Sequence, residues 1–396
     1  MRTAPLLLPA LLAAIGCAGG DANFRVVEEA GVRIVTSTAP AWSGGAKWRV
    51  DTLPERVAGD ASRADGALLV NVTGVHLLED DRLAVVSGED RQVVYFTRDG
   101  ALERRIGARG DGAGEFQRPR LIGARADSLW IWDAELQRVT VVTPTGEVAR
   151  TVTVPPGYSA SGVLSDGSLL LVSSRVVPVP DGIGLQRDSL LFHAADEGGQ
   201  PTAPVLVTVP GDEMVVARTA EFQTAFPRPF GARTTVAANG DWLQVAVGDS
   251  EDLLRVEREG ARREVWRIER ARRAVPFEDL QSHGLRRRAQ VAQLPPLVAN
   301  KVADAIVAAG VPNALPVHDQ QIVDATGHTW LREDVGPERR DSVAQRWDIL
   351  AKDGHWLGQV TTPGGVTVWQ VGKEQVVGVR RDPYGVEEVH IYRLRR

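Results

Sequence analysis

Cysteine is almost missing from this chain of 396 residues: there is one, Cys17. A single thiol excludes an intramolecular disulfide and any zinc site built on cysteines. Long apolar runs are scarce as well. The run at the start, Leu6 to Ile15, spans ten residues, half of the ~20 that a helix needs to cross a bilayer. Neither sign of charge dominates, since 46 Lys and Arg face 51 Asp and Glu for a net charge of -5. Phosphate backbones require a basic face, so nucleic acid is excluded as a main partner. Aromatic residues make up only 6%, which lends little support to a sugar site, because such sites favour exposed rings. No two of the seven histidines have the i, i+4 spacing of a helical zinc site. The G-x-S-x-G turn of serine hydrolases is absent too.

What the chain does have is 40 Gly, 23 Pro, abundant valine and a recurring strand-and-turn unit. One copy runs from Leu121 to Asp133, then Arg138 to Val142, then Thr145 to Val152. Four short apolar runs joined by tight turns make one blade of a β-propeller. Asn239-Gly240 and Asp353-Gly354 are the strongest hairpin signals. The unit recurs six times, which predicts an all-β fold, a six-bladed β-propeller over residues 24–396. Its last blade has three strands of its own, within 366–393. A raw strand edge invites aggregation, so Gly31 to Thr36 or Lys47 to Val50 is expected to supply the fourth strand and close the ring. Residues 276–312 lack strand alternation, and Leu297, Val298, Val302, Ala305, Ile306 and Ala309 recur at helical spacing before Gly310. A helical insertion is therefore expected between blades 4 and 5.

The start of the chain has the layout of an export signal: Arg2, the apolar run, then small residues. Ala14-Ile15-Gly16-Cys17 resembles the lipobox of bacterial lipoproteins. The resemblance implies cleavage after Gly16, acylation of Cys17, a tether over 17–23 and an outer-membrane position facing the periplasm. The membrane would then be a partner through the lipid. The alternative is an ordinary cleaved signal.

Gly107 to Phe116, followed by Pro119, resembles the G-x-G-x-G-E-F…P signature between blades of NHL-type propellers, with Ala113 where that pattern often has Pro. With Val323 to Trp330 and Gly385 to Leu394, the mature chain is similar to the bacterial six-bladed β-propeller lipoproteins, whose members mostly lack an assigned activity. The glycines suit a crossing from one blade to the next, and Phe116 is expected to plug the gap between blades. A strand, not a helix, follows the loop, which argues against a phosphate cradle.

In a propeller, the loops entering inner strands and those leaving second strands share one face. On it are expected Arg109, Asp111, Glu115, Arg118, Asp133, Arg332, Arg380, Asp382 and the helical insertion. Arginines beside carboxylates suit an envelope protein or a small polar ligand; the rival reading is a set of braced loop residues. Trp330 joins the candidates because Arg332 and Glu333 follow it, although the tryptophans of second strands chiefly suggest packing. No catalytic residue, cofactor or metal ligand is assigned. Some similar propellers are lactonases or lyases with Ca or Zn in the channel, and that alternative has only His76 as a channel-facing candidate. Arg286-Arg287-Arg288 reads as a solvated helix face. The leading expectation is a non-catalytic binding or scaffold module.

Overall fold

The computed structural model describes residues 23–60, 67–176, 182–219, 222–260, 262–291, 296–337, 339–340 and 342–396. The signal segment, Gly16 and Cys17 lie outside the described residues, as do the side chains of Arg286, Arg287 and Arg288.

Period-two alternation sends successive side chains to opposite faces of a strand, and in middle strands such as Leu83–Ser87 and Ser128–Asp133 both faces are buried. The result is a ring of six blades. Blade 1 runs outward through Val72–Leu77, Leu83–Ser87, Gln92–Phe96 and Leu102–Ile106. Blade 2 comprises Pro119–Arg125, Ser128–Asp133, Arg138–Val142 and Val148–Thr153. Blade 3 has Tyr158–Val163, Leu169–Arg175, Ser189–Ala194 and Val207–Pro210. Blade 4 has Thr234–Asn239, Trp242–Val247, Asp252–Glu257 and Arg263–Ile268. Blade 5 has His318–Val323, Thr329–Glu333, Gln345–Leu350 and Trp356–Thr362. Blade 6 has Val366–Val371, Gln375–Arg381 and Glu387–Arg395, completed from the other end of the chain. The molecule is a six-bladed β-propeller.

Closure uses the second of the two expected segments. Arg49–Val50 and Arg56–Ala58 both pair antiparallel with Glu387–Arg395. The first segment has a different role. Val32–Ser37 lies parallel to Arg263–Ile268 on the outer edge of blade 4, with Phe24–Glu29 folded back on it. Between the two, the amides of Ala41 and Trp42 donate to the carbonyls of Trp356 and Leu357 on blade 5. Residues 24–58 thus form a belt across the outer edges of three consecutive blades.

One apolar cluster fills each blade boundary. Leu129 and Ile131 face blade 1 with Phe116 and Tyr95, while Trp130 and Trp132 face blade 3 with Leu169 and Leu171. Leu170 and Phe192 meet Leu243 and Val245; Trp266 and Leu253 meet Leu331 and Leu350. Trp330 and Trp347 meet Val366 and Tyr392, and Val377 and Ile391 meet Val75 and Phe96. The belt adds Val35, Trp42 and Ala58 to the last three of these. Phe116 is 1% exposed in its boundary, as expected of a plug. Gly107 has a φ of +87°, and a Cβ there would stand 2.9 Å from the Phe116 ring.

At the hub, polar side chains bond one blade to the backbone of the next. Thr73 donates to the Pro119 carbonyl at 2.8 Å, Arg120 to Ala160 at 3.1 Å, and Gln320 to Val368 at 2.7 Å. Gln370 accepts from the Leu77 amide at 2.7 Å across the closing boundary. The hub is tight: a Cβ on Gly74 would lie 2.1 Å from that of Leu121.

The insertion between blades 4 and 5 is helical, as expected: α1 (Phe277–Val291) and α2 (Pro296–Ala309). A three-stranded sheet accompanies it, made of Gly182–Gln186, Met214–Thr219 and Phe222–Pro227. Its strands leave the ring from blade 3, which explains the break in pattern after Arg175; residues 177–181 lie outside the described ones. Ala305 and Ala309 of α2 pack with Val215 of this sheet. Arg339 ties α1 to blade 5 through Asp279 at 2.9 Å and through Glu278.

Candidate functional site

The up-and-down course of the strands puts both insertions and the blade-to-blade loops on one face of the ring. The candidate residues on that face differ sharply in what they have left to offer a ligand.

Asp133 has little. It is fully buried and accepts the amides of Gln117 at 2.7 Å, Arg118 at 3.2 Å, and Glu135 and Leu136 at 3.1 Å. Its carboxylate organises two loops. Arg332 is also occupied: its guanidinium grips Asp319 at 2.6 and 3.0 Å, and Arg340 reaches the same carboxylate at 2.7 Å. Around this pair blade 5 carries an ionic lattice. Glu333 is held by Arg273 at 2.8 Å and Arg346 at 2.7 Å, and Asp348 by Arg270 at 2.7 Å. Burial raises the pKa of Asp334, and the charge of Asp319 adds to the rise. For Asp348, burial pushes the pKa up, but the hydrogen bond with His318 and the charge of Arg270 outweigh it, leaving the carboxyl below its usual range. These charges brace the loops that carry the face.

Trp330 belongs to the other end of blade 5. It is fully buried, its indole N–H donates to Asp324 at 3.0 Å, and its ring packs edge-on to Trp347 with centroids 6.2 Å apart. His76 is at that end too, 3.0 Å from Asp127 of blade 2. Among the described residues, no group of three or more His, Cys, Asp or Glu is placed to hold a metal ion.

Arg380 and Asp382 have more to offer. Both are exposed and line a cleft of about 640 Å³ beside the loops of blades 5 and 6. Ser342, Thr367, Arg381 and Glu387 line it with them. Asp382 also accepts the amides of Tyr384 at 2.8 Å and Val386 at 2.9 Å, which sets the turn. Arg381 pairs with Glu387 through its Nε at 2.9 Å. Glu387 is buried and also accepts the Val72 amide at 2.5 Å, so the cleft presents chiefly the Arg380 guanidinium and the Asp382 carboxylate, a lining suited to a polar partner of mixed charge. Arg109 and Arg118 are exposed on the loop between blades 1 and 2. Arg118 reaches Glu135 at 3.1 Å, and the Arg109 backbone bridges to Phe116. The sequence candidates thus fall into separate groups around the face. Sequence reasoning missed Arg381, Glu387 and Thr367, although their place beside Arg380 in a strand-end pair was a readable signal.

No family model matches the chain, and no curated protein matches it. Solved structures do. The chain is similar to a Bacteroides fragilis protein described as exported, with a TM-score of 0.50 and 12% identity over 91% of this chain and 99% of that one. A member of the DUF4221 family from Bacteroides vulgatus matches with a TM-score of 0.43 and 10% identity, over 94% of this chain and 99% of that one. Virginiamycin B lyase from Staphylococcus aureus matches with a TM-score of 0.41 and 10% identity, over 88% and 99%. At such identities the likeness concerns the fold alone.

Proposed function

We propose that this chain is an exported propeller, anchored in the bacterial envelope by lipid on Cys17, that binds a protein or small polar ligand at the cleft between blades 5 and 6 without transforming it. The observation that carries the reading is the cleft itself: about 640 Å³, open to solvent, with Arg380, Arg381, Asp382 and Glu387 around it. Arginine and carboxylate side by side recognise complementary charge through paired hydrogen bonds. A rigid ring is a suitable base for such loops, since the neighbouring charges of blade 5 are already braced. The lipobox-like end of the chain supports the anchor. Among the described residues no helix is long and apolar enough to cross a membrane. Acyl chains on one residue give stable attachment, at ~0.8 kcal/mol per buried CH₂.

Two measurements test this reading. In bacterial cells, the full chain is expected in the membrane fraction and the Cys17→Ala chain in the soluble fraction; equal partitioning would refute the anchor. Envelope extracts passed over the immobilised mature protein are expected to yield a bound species that Arg380→Ala with Arg381→Ala weakens by about tenfold or more, the scale of a lost charged hydrogen bond. Unchanged capture by the double variant would remove the cleft from the proposal.

A further inference from the structure

A second opening lies at the mouth of the channel between blades 1, 2 and 3, with a volume of about 380 Å³. Asn71, Thr73, Arg118, Arg120, Trp132 and Ser159 line it, and among the described residues no carboxylate does. Arg120 is the second residue of an inner strand, Pro119–Arg125. That position turns its guanidinium towards the hub, where among the described residues it makes one hydrogen bond, to the Ala160 carbonyl at 3.1 Å.

This arginine is unlike those that brace blade 5. Arg332, Arg340, Arg273 and Arg346 each have a carboxylate within 2.6 to 2.8 Å. Arg120 has no ion-pair partner among the described residues. Its side chain opens to the channel, yet the wall around it strips away part of its hydration and lowers its pKa, and no neighbouring carboxylate opposes that effect. A guanidinium remains charged in proteins, and a partly desolvated charge without a counter-ion is costly. Removing it from water is ordinarily offset by pairing. Among the described residues no such pairing is made here. The amide of Asn71 and the hydroxyl of Ser159, which line the same space, have no hydrogen-bond partner among the described residues. Thr73 spends its proton on Pro119 and so contributes only an acceptor.

We propose that this pocket binds the oxyanion group of a small ligand, with the Arg120 guanidinium as its anchor and Asn71 and Ser159 as neutral donors. The planar fork of arginine suits two oxygens of a carboxylate or a phosphate equally. The site belongs to different blades from the Arg380 cleft and does not depend on it.

Titration calorimetry of the mature protein with inorganic phosphate and with succinate, at fixed ionic strength, tests the proposal. At least one of them is expected to bind saturably with one site per chain. Phosphate alone binding assigns a phosphoryl ligand; succinate alone assigns a carboxylate. Arg120→Gln is expected to weaken that binding by about tenfold or more. Arg98→Gln, which removes one exposed positive charge on an outer loop, leaves it unchanged. Should Arg120→Gln fail to fold, Ser159→Ala carries the test, with an expected weakening of about fivefold. Binding of neither anion, or full affinity in the Arg120→Gln and Ser159→Ala chains, overturns the proposal.

Discussion

A chain lacking residues 24–52 is expected to lose its cooperative thermal transition and to be digested by protease throughout. The deletion removes far more than a surface strand. It takes away the fifth strand of blade 4, the Trp42 side chain wedged between blades 5 and 6, and the Arg49–Val50 pairing that caps blade 6. The end of the last strand, Arg393–Arg395, then loses its partner, an open edge that is a template for wrong pairing, although Arg56–Ala58 stays on Val389–Ile391. The apolar surface withdrawn from the core is large on the scale of total stability. Trp42 is 8% exposed and Val35 is fully buried. Replacing a core tryptophan by alanine typically costs about 3–5 kcal/mol, against a total of roughly 5–15 kcal/mol for a folded domain. Trp42→Ala alone is therefore expected to lower the urea midpoint markedly while leaving the far-ultraviolet circular dichroism near native. If the truncated chain melts cooperatively at the temperature of the intact one, the belt is decoration and closure of the ring rests elsewhere.

Asp324→Ala is expected to destabilise the protein by about 3–5 kcal/mol, the usual result of breaking a buried ion pair from one side. The carboxylate is at the end of the blade opposite the candidate face and its side chain is fully buried. It accepts the Trp330 indole at 3.0 Å, the Arg396 guanidinium at 2.7 Å, the Thr326 hydroxyl at 2.7 Å, and the amides of Thr326 at 2.8 Å and His328 at 3.0 Å. Removing it strands a fully buried indole N–H and leaves Arg396, which also stacks over Trp48 at 4.3 Å, without its counter-ion. The same group makes the protein acid-sensitive. Burial alone would raise its pKa, but the hydrogen bonds from His328, Trp330 and Thr326 outweigh burial and hold the carboxyl well below the usual range. A depressed folded pKa means that the stabilisation is complete above the unfolded value, about 3.9. It is lost as pH falls below that value towards the folded pKa. Unfolding free energies of the wild type between pH 5 and pH 2 should thus fall more steeply than those of Asp324→Ala. Parallel curves would show that acid acts through other carboxylates, Asp348 first among them.

The strands were legible because their physics is local. Trp130 and Ile131 point to opposite faces whatever the blade's neighbours are, so alternation and the Gly-containing turns expose the four-stranded units of blades 1, 2, 4 and 5. The helical insertion was legible for the same reason, since Ala305 and Ala309 share a helix face. The belt was legible only in part. An edge strand's own alternation does not name its partner, so Gly31 to Thr36 and Lys47 to Val50 looked equivalent. The ring assigned the first to blade 4 and the second to blade 6. The sheet around Met214–Thr219 was hidden because its strands come from two separate excursions and become a unit only when α2 covers them.

The candidate site was harder to read, and for a physical reason. Whether a charge is a brace or a binding group depends on what stands beside it in space. Asp133 and Arg332 have the residue types of a site, yet backbone amides and Asp319 occupy them. Arg120, just before the repeat unit that begins at Leu121, carried no signal of its own, and only folding set it in a channel wall where, among the described residues, no carboxylate pairs with it. By itself the sequence determined the repeating sheet, the number of blades and the place of the insertion, because turn chemistry and side-chain period act over a few residues. Tertiary structure alone decided which charges are spent and which remain available, because the groups that occupy them come from other strands and loops, as near in sequence as Asp319 is to Arg332 or as far as Asp348 is from Arg270.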